Sequence, residues 1–193
     1  ASLLDVAAVN KKPVIILTNG GSFSSERAWA KYQDWHVPIA REDIISSRDA
    51  FVAHSERHQK RWSLGAKIGC LGRSIETPDG KHILAYGRHD DFWQQADEFV
   101  FFGALDWQED DQAAFEAAML AHPRPLHIVN PDVTAPQGGC RFSAEPGYWA
   151  ARMIQAAANQ GVEIDVRWYG KPYGPAFDLA LARMRTKLSH LSD

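Results

Sequence analysis

Apolar residues in this chain occur as short runs that end at polar residues, and segments with helical spacing separate these runs. The first run, Val14–Leu17, has no polar residue and is rich in β-branched side chains, which is typical of a strand covered on both faces. Further strands are predicted at 67–71, 82–86, 98–102, 126–129 and 162–168. Strands that alternate with helices predict an α/β fold with a doubly wound parallel sheet.

Helices are predicted where apolar residues recur every three or four positions. Ser24 is a candidate N-cap for the helix after the first strand, and Pro146 is a strong start signal for a later helix that Gly161 ends. The turn Thr77–Gly80 predicts a β-hairpin between the strands at 67–71 and 82–86, while 133–142 is predicted to be a loop. The predicted helices span residues 1–9, 24–35, 48–62, 109–121, 143–160 and 174–188.

Three of the predicted strands end in polar residues. Thr18 and Asn19 follow the first strand, Asn130–Asp132 follows the strand at 126–129, and Gly170-Lys171 follows the strand at 162–168. A doubly wound sheet aligns the carboxyl ends of its strands, so we expect the three segments to meet at one pocket. A hydroxyl, amides and an ammonium group beside a helix N-terminus favour a phosphate.

Gly20 and Gly21 continue the first of these segments and allow a tight turn with close backbone approach to a ligand. Taken alone, the segment is also compatible with an ordinary strand-to-helix turn, and Lys171 with a surface lysine, because such short motifs are unspecific.

Charge and composition narrow the classes of partner. The 193 residues carry a formal net charge of -3, which supplies no basic field for nucleic acid. No apolar run approaches the roughly 20 residues that span a membrane, and the first residues do not resemble a signal peptide. Two cysteines, Cys70 and Cys140, form neither a disulfide framework nor a zinc site by their spacing. We therefore expect a cytoplasmic protein without nucleic-acid or membrane partners.

Other candidate chemistry is less specific. His54 and His58 lie four residues apart on a predicted helix, but they lack the His-Glu-x-x-His order of a zinc protease, so a solvated helix face is favoured. A nucleophilic cysteine would need a nearby base or a lowered pKa, and the sequence shows neither. The aromatic residues between 86 and 107 could line a pocket or a dimer surface, although such residues are more often core.

The ordered segments Leu17-Thr-Asn19, Asn130-Pro-Asp132 and Gly170-Lys-Pro172 resemble the haloacid dehalogenase superfamily of phosphatases. They look most like its class IIA, the para-nitrophenyl-phosphate and pyridoxal-phosphate phosphatase type. The match in order and spacing extends over nearly the whole chain. The resemblance implies a doubly wound core formed by residues 1–62 and 127–193, with an α/β cap domain inserted at 63–126.

The resemblance also implies roles for the matching residues. Thr18 would donate its hydroxyl to a phosphoryl oxygen, Asn19 would assist through its backbone N–H and side chain, and Lys171 would neutralise the phosphate and fix the nucleophile. Gly20 and Gly21 would lie against the phosphate, and Asn130 and Asp132 would lie near it without reacting. A small phosphorylated substrate, Mg²⁺ and a homodimer formed through the cap are further implications.

The chain departs from the pattern of the superfamily at both ends. The nucleophile of the superfamily is the first aspartate of an Asp-x-Asp-Gly motif upstream of Thr-Asn, and only Asp5 occurs there, without the second acid or the glycine. The Gly-Asp motif that binds Mg²⁺ downstream of Gly-Lys-Pro is also missing, since Ser192-Asp193 does not match it. We therefore expect the parent chain to be longer, with the nucleophile and the metal ligands outside these residues.

Two functions of different classes remain at this point. The first is a Mg²⁺-dependent phosphomonoesterase that acts through an aspartyl phosphate. The second is a catalytically inactive module of the same fold that binds phosphate or a partner. A nucleotide-binding domain of another kind is disfavoured, because neither Gly-x-x-x-x-Gly-Lys-Ser/Thr nor Gly-x-Gly-x-x-Gly is present. Which phosphorylated compound would be the substrate does not follow from the sequence.

Overall fold

The computed structural model of the protein describes residues 3–57, 65–78 and 80–189. In these ranges the strands are β1 (Ile16–Thr18), β2 (Ile44–Ser46), β3 (Ile68–Leu71), β4 (Ile83–Ala85), β5 (Glu98–Phe101), β6 (Leu126–Ile128), β7 (Thr134–Pro136), β8 (Phe142–Ala144) and β9 (Val166–Trp168). The helices are α1 (Leu3–Val9), α2 (Ser25–Asp34), α3 (Ser47–Arg57), α4 (Phe92–Gln95), α5 (Glu109–Ala121), α6 (Pro146–Asn159) and α7 (Gly174–Ser189).

The main sheet has five parallel strands in the order β4-β3-β5-β6-β9. Its middle strand, β5, is buried over its whole length. Phe99 and Phe101 pack into a core with α5 and α6, while Val100 and Phe102 pack into a second core with Phe51 of α3. Helices thus cover both faces of a parallel sheet, and the predicted α/β class is confirmed.

Aromatic side chains dominate the first of these cores. Phe92, Phe99, Phe101, Trp107 and Phe115 are almost completely buried, and their rings contact one another edge-on or tilted. The preference for a core role over a pocket or a dimer surface is therefore confirmed for these residues.

Two local predictions are wrong. Strands β3 and β4 pair in parallel, so they do not form the hairpin predicted around residues 77–80, where Asp79 itself lies outside the described residues. The predicted loop at 133–142 instead contains β7, and β7 pairs with β8 in an antiparallel hairpin. In both cases the turn residues were identified, but the pairing partner depends on contacts made by the rest of the chain.

Strand β1 lies outside the five-stranded sheet. It pairs in parallel with β2 as a separate two-stranded sheet, and its residues are only partly buried. The prediction that β1 shares one sheet with β6 and β9 is therefore wrong for the described residues.

The main sheet is continuous across residue 126, where the predicted cap would return to the core. Strand β5 precedes this point and pairs with β6, and β6 pairs with β9. The other predicted boundary, at 62–63, lies outside the described residues. The division into core 1–62 and 127–193 with cap 63–126 stays a prediction, and the continuous sheet favours placing β6 and β9 with β3–β5.

In the described part of the chain, none of the helices combines the length and the apolar character that crossing a membrane would require.

Candidate functional site

The three polar segments that follow β1, β6 and β9 lie together. Asn19 is 8% exposed, and its Nδ2 donates to Asp132 Oδ1 at 2.8 Å and to the carbonyl oxygen of Lys171 at 3.0 Å. Its Oδ1 accepts the backbone N–H of Lys171 at 2.7 Å. The ammonium of Lys171 donates to the carbonyl oxygen of Leu17 at 2.9 Å. Thus the convergence expected from the sequence occurs, although it joins two separate sheets.

These contacts change the role expected for the side chain of Asn19. An asparagine amide has two N–H donors, and both are engaged by Asp132 and Lys171. The amide therefore has no donor left for a phosphate, and in this structure it ties the end of β1 to the ends of β6 and β9. The expected contact of this side chain with a phosphate stays a prediction.

The turn after β1 is held by two buried side chains at the start of α3. The hydroxyl of Ser47 donates to the carbonyl oxygen of Asn19 at 3.0 Å, and Arg48 Nη1 donates to that of Gly21 at 3.4 Å. Within the turn, the N–H of Gly20 donates to Thr18 Oγ1 at 3.3 Å. These bonds fix Thr18, Gly20 and Gly21 in the loop that precedes α2, and at the N-cap of α2 the Ser24 N–H donates to the Glu76 carboxylate at 2.9 Å.

The sequence analysis missed Ser47 and Arg48. They follow the short apolar pair Ile44-Ile45, so the signal was the same one that identified the other segments, a buried strand ending in polar residues. Arg48 is 8% exposed and lies 4.8 Å from the ring centre of Phe102. Burial lowers the pKa of Arg48, and the nearby carboxylate of Glu76 opposes this shift.

Asn130, Asp132 and Glu145 form a connected polar group beside the turn. The N–H of Asp132 donates to Asn130 Oδ1 at 2.9 Å, and Asn130 Nδ2 donates to Glu145 Oε2 at 3.1 Å. Ser143 Oγ donates to the other carboxylate oxygen of Glu145 at 2.7 Å. Burial raises the pKa of Glu145, the hydrogen bond from Ser143 opposes the shift, and the charge of Asp132 adds to it. The sequence identified Glu145 only as a helix start.

A second buried network leads from the sheet to the same segment. The hydroxyl oxygen of Tyr169, which directly precedes Gly170, lies 2.7 Å from His127 Nδ1, and His127 Nε2 lies 2.9 Å from Glu98 Oε2. Burial raises the pKa of Tyr169, so its phenol stays protonated at neutral pH. The Tyr169 hydroxyl, the His127 imidazole and the Glu98 carboxylate thus form one buried hydrogen-bonded chain.

A cleft of about 620 Å³ opens beside the turn. Thr18, Gly20 and Gly21 line it at the end of β1, and the opposite wall includes Asn130, Asp132, Gln137 and Glu145. A third wall is one face of α2, with Arg27, Lys31 and Trp35. Lys171 adjoins the turn through Leu17 and is not among the residues that line this cleft.

Metal and thiol chemistry find little support in the described residues. Residues 3–57, 65–78 and 80–189 contain no group of three His, Cys, Asp or Glu side chains close enough to hold a metal ion. The predicted pair of His54 with His58 is untested, since His58 lies outside those ranges. Cys70 is buried, and burial raises the pKa of its thiol to about 12, so it is protonated at neutral pH and a poor nucleophile.

The first half of the chain matches a known protein family. The model of haloacid dehalogenase-like hydrolases matches residues 1–94, which include the turn at Thr18–Gly21 and the strand β2 that supports it. Residues 1–94 are thus similar to this family, and the resemblance to the haloacid dehalogenase superfamily drawn from Thr18-Asn19 is confirmed over that part of the chain. No curated protein matches the chain in sequence.

Solved structures of several phosphatases share the fold. A possible sugar phosphatase of the haloacid dehalogenase superfamily from Cytophaga hutchinsonii matches with a TM-score of 0.73 and 19% identity, over 95% of this chain and 64% of that chain. A p-nitrophenyl phosphatase from Archaeoglobus fulgidus matches with a TM-score of 0.64 and 16% identity, over 94% of this chain and 65% of that chain. A glycerol phosphate phosphatase from Mycobacterium tuberculosis, in complex with calcium, matches with a TM-score of 0.67 and 21% identity, over 93% of this chain and 50% of that chain. This chain therefore spans about two thirds or less of the length of these proteins.

Proposed function

We propose that the intact protein hydrolyses phosphomonoesters. The observation that carries this proposal is the meeting of the Thr18–Gly21 turn with Asp132 and Lys171 beside an open cleft. The match of residues 1–94 to the haloacid dehalogenase-like hydrolases supports it. The names of the solved structures with the same fold, a sugar phosphatase, a p-nitrophenyl phosphatase and a glycerol phosphate phosphatase, are consistent with it.

In this proposal the described residues position and neutralise the phosphoryl group. The hydroxyl of Thr18 and the N–H groups of the Gly20-Gly21 turn donate to phosphoryl oxygens, and Lys171 supplies positive charge behind the turn. Such fixed donors are the main source of catalysis in phosphoryl transfer. Asn19 holds the turn and Lys171 in register through the hydrogen bonds of its amide.

The attacking group is proposed to be an aspartate that is not among the described residues, so that the reaction passes through an aspartyl phosphate. A magnesium ion would assist in such a reaction by neutralising phosphoryl oxygens. The residues present do not fit a magnesium site, because Asp132 and Glu145 are engaged by Asn19, Asn130 and Ser143 and no third acid joins them in the described chain. We therefore derive no step through a metal.

The test is turnover of p-nitrophenyl phosphate by the full-length protein, with and without added Mg²⁺. We expect release of nitrophenol that requires the metal, and a loss of at least roughly a hundredfold in kcat when Lys171 is replaced by Ala, which is the scale of losing one fixed charge donor. The matched control is Lys12→Ala, since Lys12 is exposed and lies outside the cleft.

The inactive module of the same fold is distinguished in the same experiment. Binding of inorganic phosphate without turnover under any divalent metal would support the module and contradict the phosphatase. Unchanged turnover in the Lys171→Ala protein would remove Lys171 from the site. The coding sequence upstream of residue 1 gives an independent check, because the phosphatase requires an Asp-x-Asp-Gly motif there.

A further inference from the structure

The cationic face of α2 is not needed to hold a single phosphate. Arg27 and Lys31 lie one helical turn apart and both line the cleft, together with the aromatic side chains Phe23, Tyr32 and Trp35. The opposite face of the helix is engaged elsewhere, since Trp29 Nε1 donates to the carbonyl oxygen of Ile39 at 3.1 Å. One face of α2, from Arg27 to Trp35, therefore forms a wall of the cleft, and this face is called the α2 stripe.

Neither cation forms an ion pair with a carboxylate of the described chain, although Arg27 lies close enough to the Glu76 carboxylate to attract it. Other arginines in the described chain form ion pairs with acidic side chains, namely Arg41, Arg73, Arg152 and Arg167. By contrast, Arg27 lies 3.8 Å from the ring centre of Phe23, and Lys31 lies 4.6 Å from that of Trp35. Stacking on these rings orients both cations but leaves their N–H groups available to a ligand.

The acids of the cleft do not compensate these cations. Asp132 accepts a hydrogen bond from Asn19, and Glu145 accepts from Asn130 and Ser143. These carboxylates are bound within the opposite wall. Trp35 is 59% exposed, which is unusual for a tryptophan, and it extends the apolar part of the α2 wall.

The dimensions favour a ligand with two charged ends. The stripe from Arg27 to Trp35 spans eight residues, and a helix rises about 1.5 Å per residue, so the wall is about 12 Å long. It starts two residues after Ser25, where α2 begins, and Thr18, Gly20 and Gly21 line the same cleft. A phosphate at the turn would therefore leave room for the rest of its ester along α2.

We propose that Arg27 and Lys31 bind a second anionic group of the substrate. The substrate is then a phosphomonoester whose alcohol carries a carboxylate or another phosphate, bound with its alcohol along the α2 stripe. This inference rests on the proposed function, because it takes the Thr18–Gly21 turn as the site of the reacting phosphate. It assigns the leaving-group specificity to α2.

The binding of a second anionic group by Arg27 and Lys31 is tested by measuring the affinities of three non-hydrolysable ligands with the same number of carbon atoms. Butylphosphonate has one anionic end, 4-phosphonobutanoate adds a carboxylate, and butane-1,4-diylbisphosphonate adds a second phosphonate. We expect the full-length protein to bind at least one of the two-ended ligands roughly tenfold more tightly than butylphosphonate in isothermal titration calorimetry, because two exposed ion pairs each contribute a few fold. The ligand that shows the preference identifies the second group.

Two double variants distinguish binding at Arg27 and Lys31 from a general effect of the net charge of the protein. In the Arg27→Gln/Lys31→Gln protein the ratio of affinities should fall to about one or two, with intermediate ratios in the single variants. The matched control, Lys81→Gln/Arg88→Gln, removes the same charge at exposed positions outside the cleft and should keep the wild-type ratio.

The outcomes are distinct from those of the proposed function. Tight butylphosphonate binding with a ratio near one, or a ratio that survives Arg27→Gln/Lys31→Gln, would overturn this inference and leave the phosphatase standing. Absence of both phosphonate binding and p-nitrophenyl phosphate turnover would overturn the two together. A preference that is lost in the variant supports the α2 site even if the protein shows no turnover.

Discussion

Gly20 and Gly21 are neighbours in the sequence, but only Gly21 is packed against the sheet. A Cβ atom on Gly21 would lie 2.5 Å from the carbonyl oxygen of Phe102 and 2.9 Å from Val129 Cγ1. A Cβ atom on Gly20 would have Thr18 Oγ1 as its nearest neighbour, at 3.6 Å. The sequence indicated a glycine turn, but which glycine is required depends on β5 and β6 and could not be predicted locally.

At the residue scale, we therefore expect Gly21→Ala to lower the free energy of unfolding by about 1–3 kcal/mol, because backbone must move to admit the methyl group. Gly20→Ala should lower the free energy of unfolding by less than about 1 kcal/mol, since the space around a Cβ atom on Gly20 is open. Urea unfolding of the two variants of the full-length protein measures the difference. Equal midpoints for the two would show that Gly21 is not confined by Phe102.

Helix α5 shows how far an element can be predicted. Its range, Glu109–Ala121, agrees with the sequence prediction because its periodicity and its terminating prolines are local features. Its first turn contains an interaction that the sequence did not reveal. Asp111 Oδ1 accepts hydrogen bonds from Arg73 and from the hydroxyl of Tyr86, both at 2.7 Å, and Asp111 Oδ2 accepts the N–H of Gln108 at 3.0 Å.

These bonds determine the charge state of Asp111. Burial by itself would raise the pKa of Asp111, but the hydrogen bonds from Arg73, Tyr86 and the backbone of Gln108 outweigh it and hold the pKa below its usual value. A lowered folded pKa means that the carboxylate stabilises the fold above the unfolded pKa of about 3.9. This contribution is lost as the pH falls through the folded pKa.

At the element scale, we expect Asp111→Asn to lower the free energy of unfolding by about 1–2 kcal/mol at pH 7, discounted because the side chain of Arg73 is 51% exposed and partly screened. The deficit should shrink as the pH falls below about 4. Denaturant unfolding from pH 7 to pH 3 measures it, with the exposed neighbour Asp110→Asn as the control. A deficit that stays constant over this range would contradict the lowered pKa.

At the scale of the whole molecule, Asn19 is one of the contacts between the two-stranded sheet and the main sheet. Its amide links the two-stranded sheet to the segments after β6 and β9 through Asp132 and Lys171. The fit there is close, because a Cβ atom on Gly170 would lie 2.6 Å from Asn19 Oδ1. The site is therefore part of the contact between the two sheets, and stability and function share it.

At this scale, we expect Asn19→Ala to lower the free energy of unfolding by about 2–4 kcal/mol, since buried partners at Asp132 and Lys171 lose their hydrogen bonds. Asn159→Ala is the matched control, because Asn159 is exposed and accepts only a hydrogen bond from Gln155. Thermal and urea unfolding of the full-length proteins provide the comparison. A shift no larger than that of the control would mean that the sheets are held together elsewhere.

The sequence by itself determined the class of the fold, most helices and strands, and the polar segments at Thr18, Asn130 and Lys171. Those features depend on periodicity, caps and turns, which act over a few residues. The tertiary structure alone decided that β3 and β4 are parallel, that β1 pairs apart from the main sheet, and that Ser47 and Arg48 support the turn. It also decided that Arg27 and Lys31 face the cleft, because contacts between distant residues select which face of an amphipathic element is buried and which is left for a ligand.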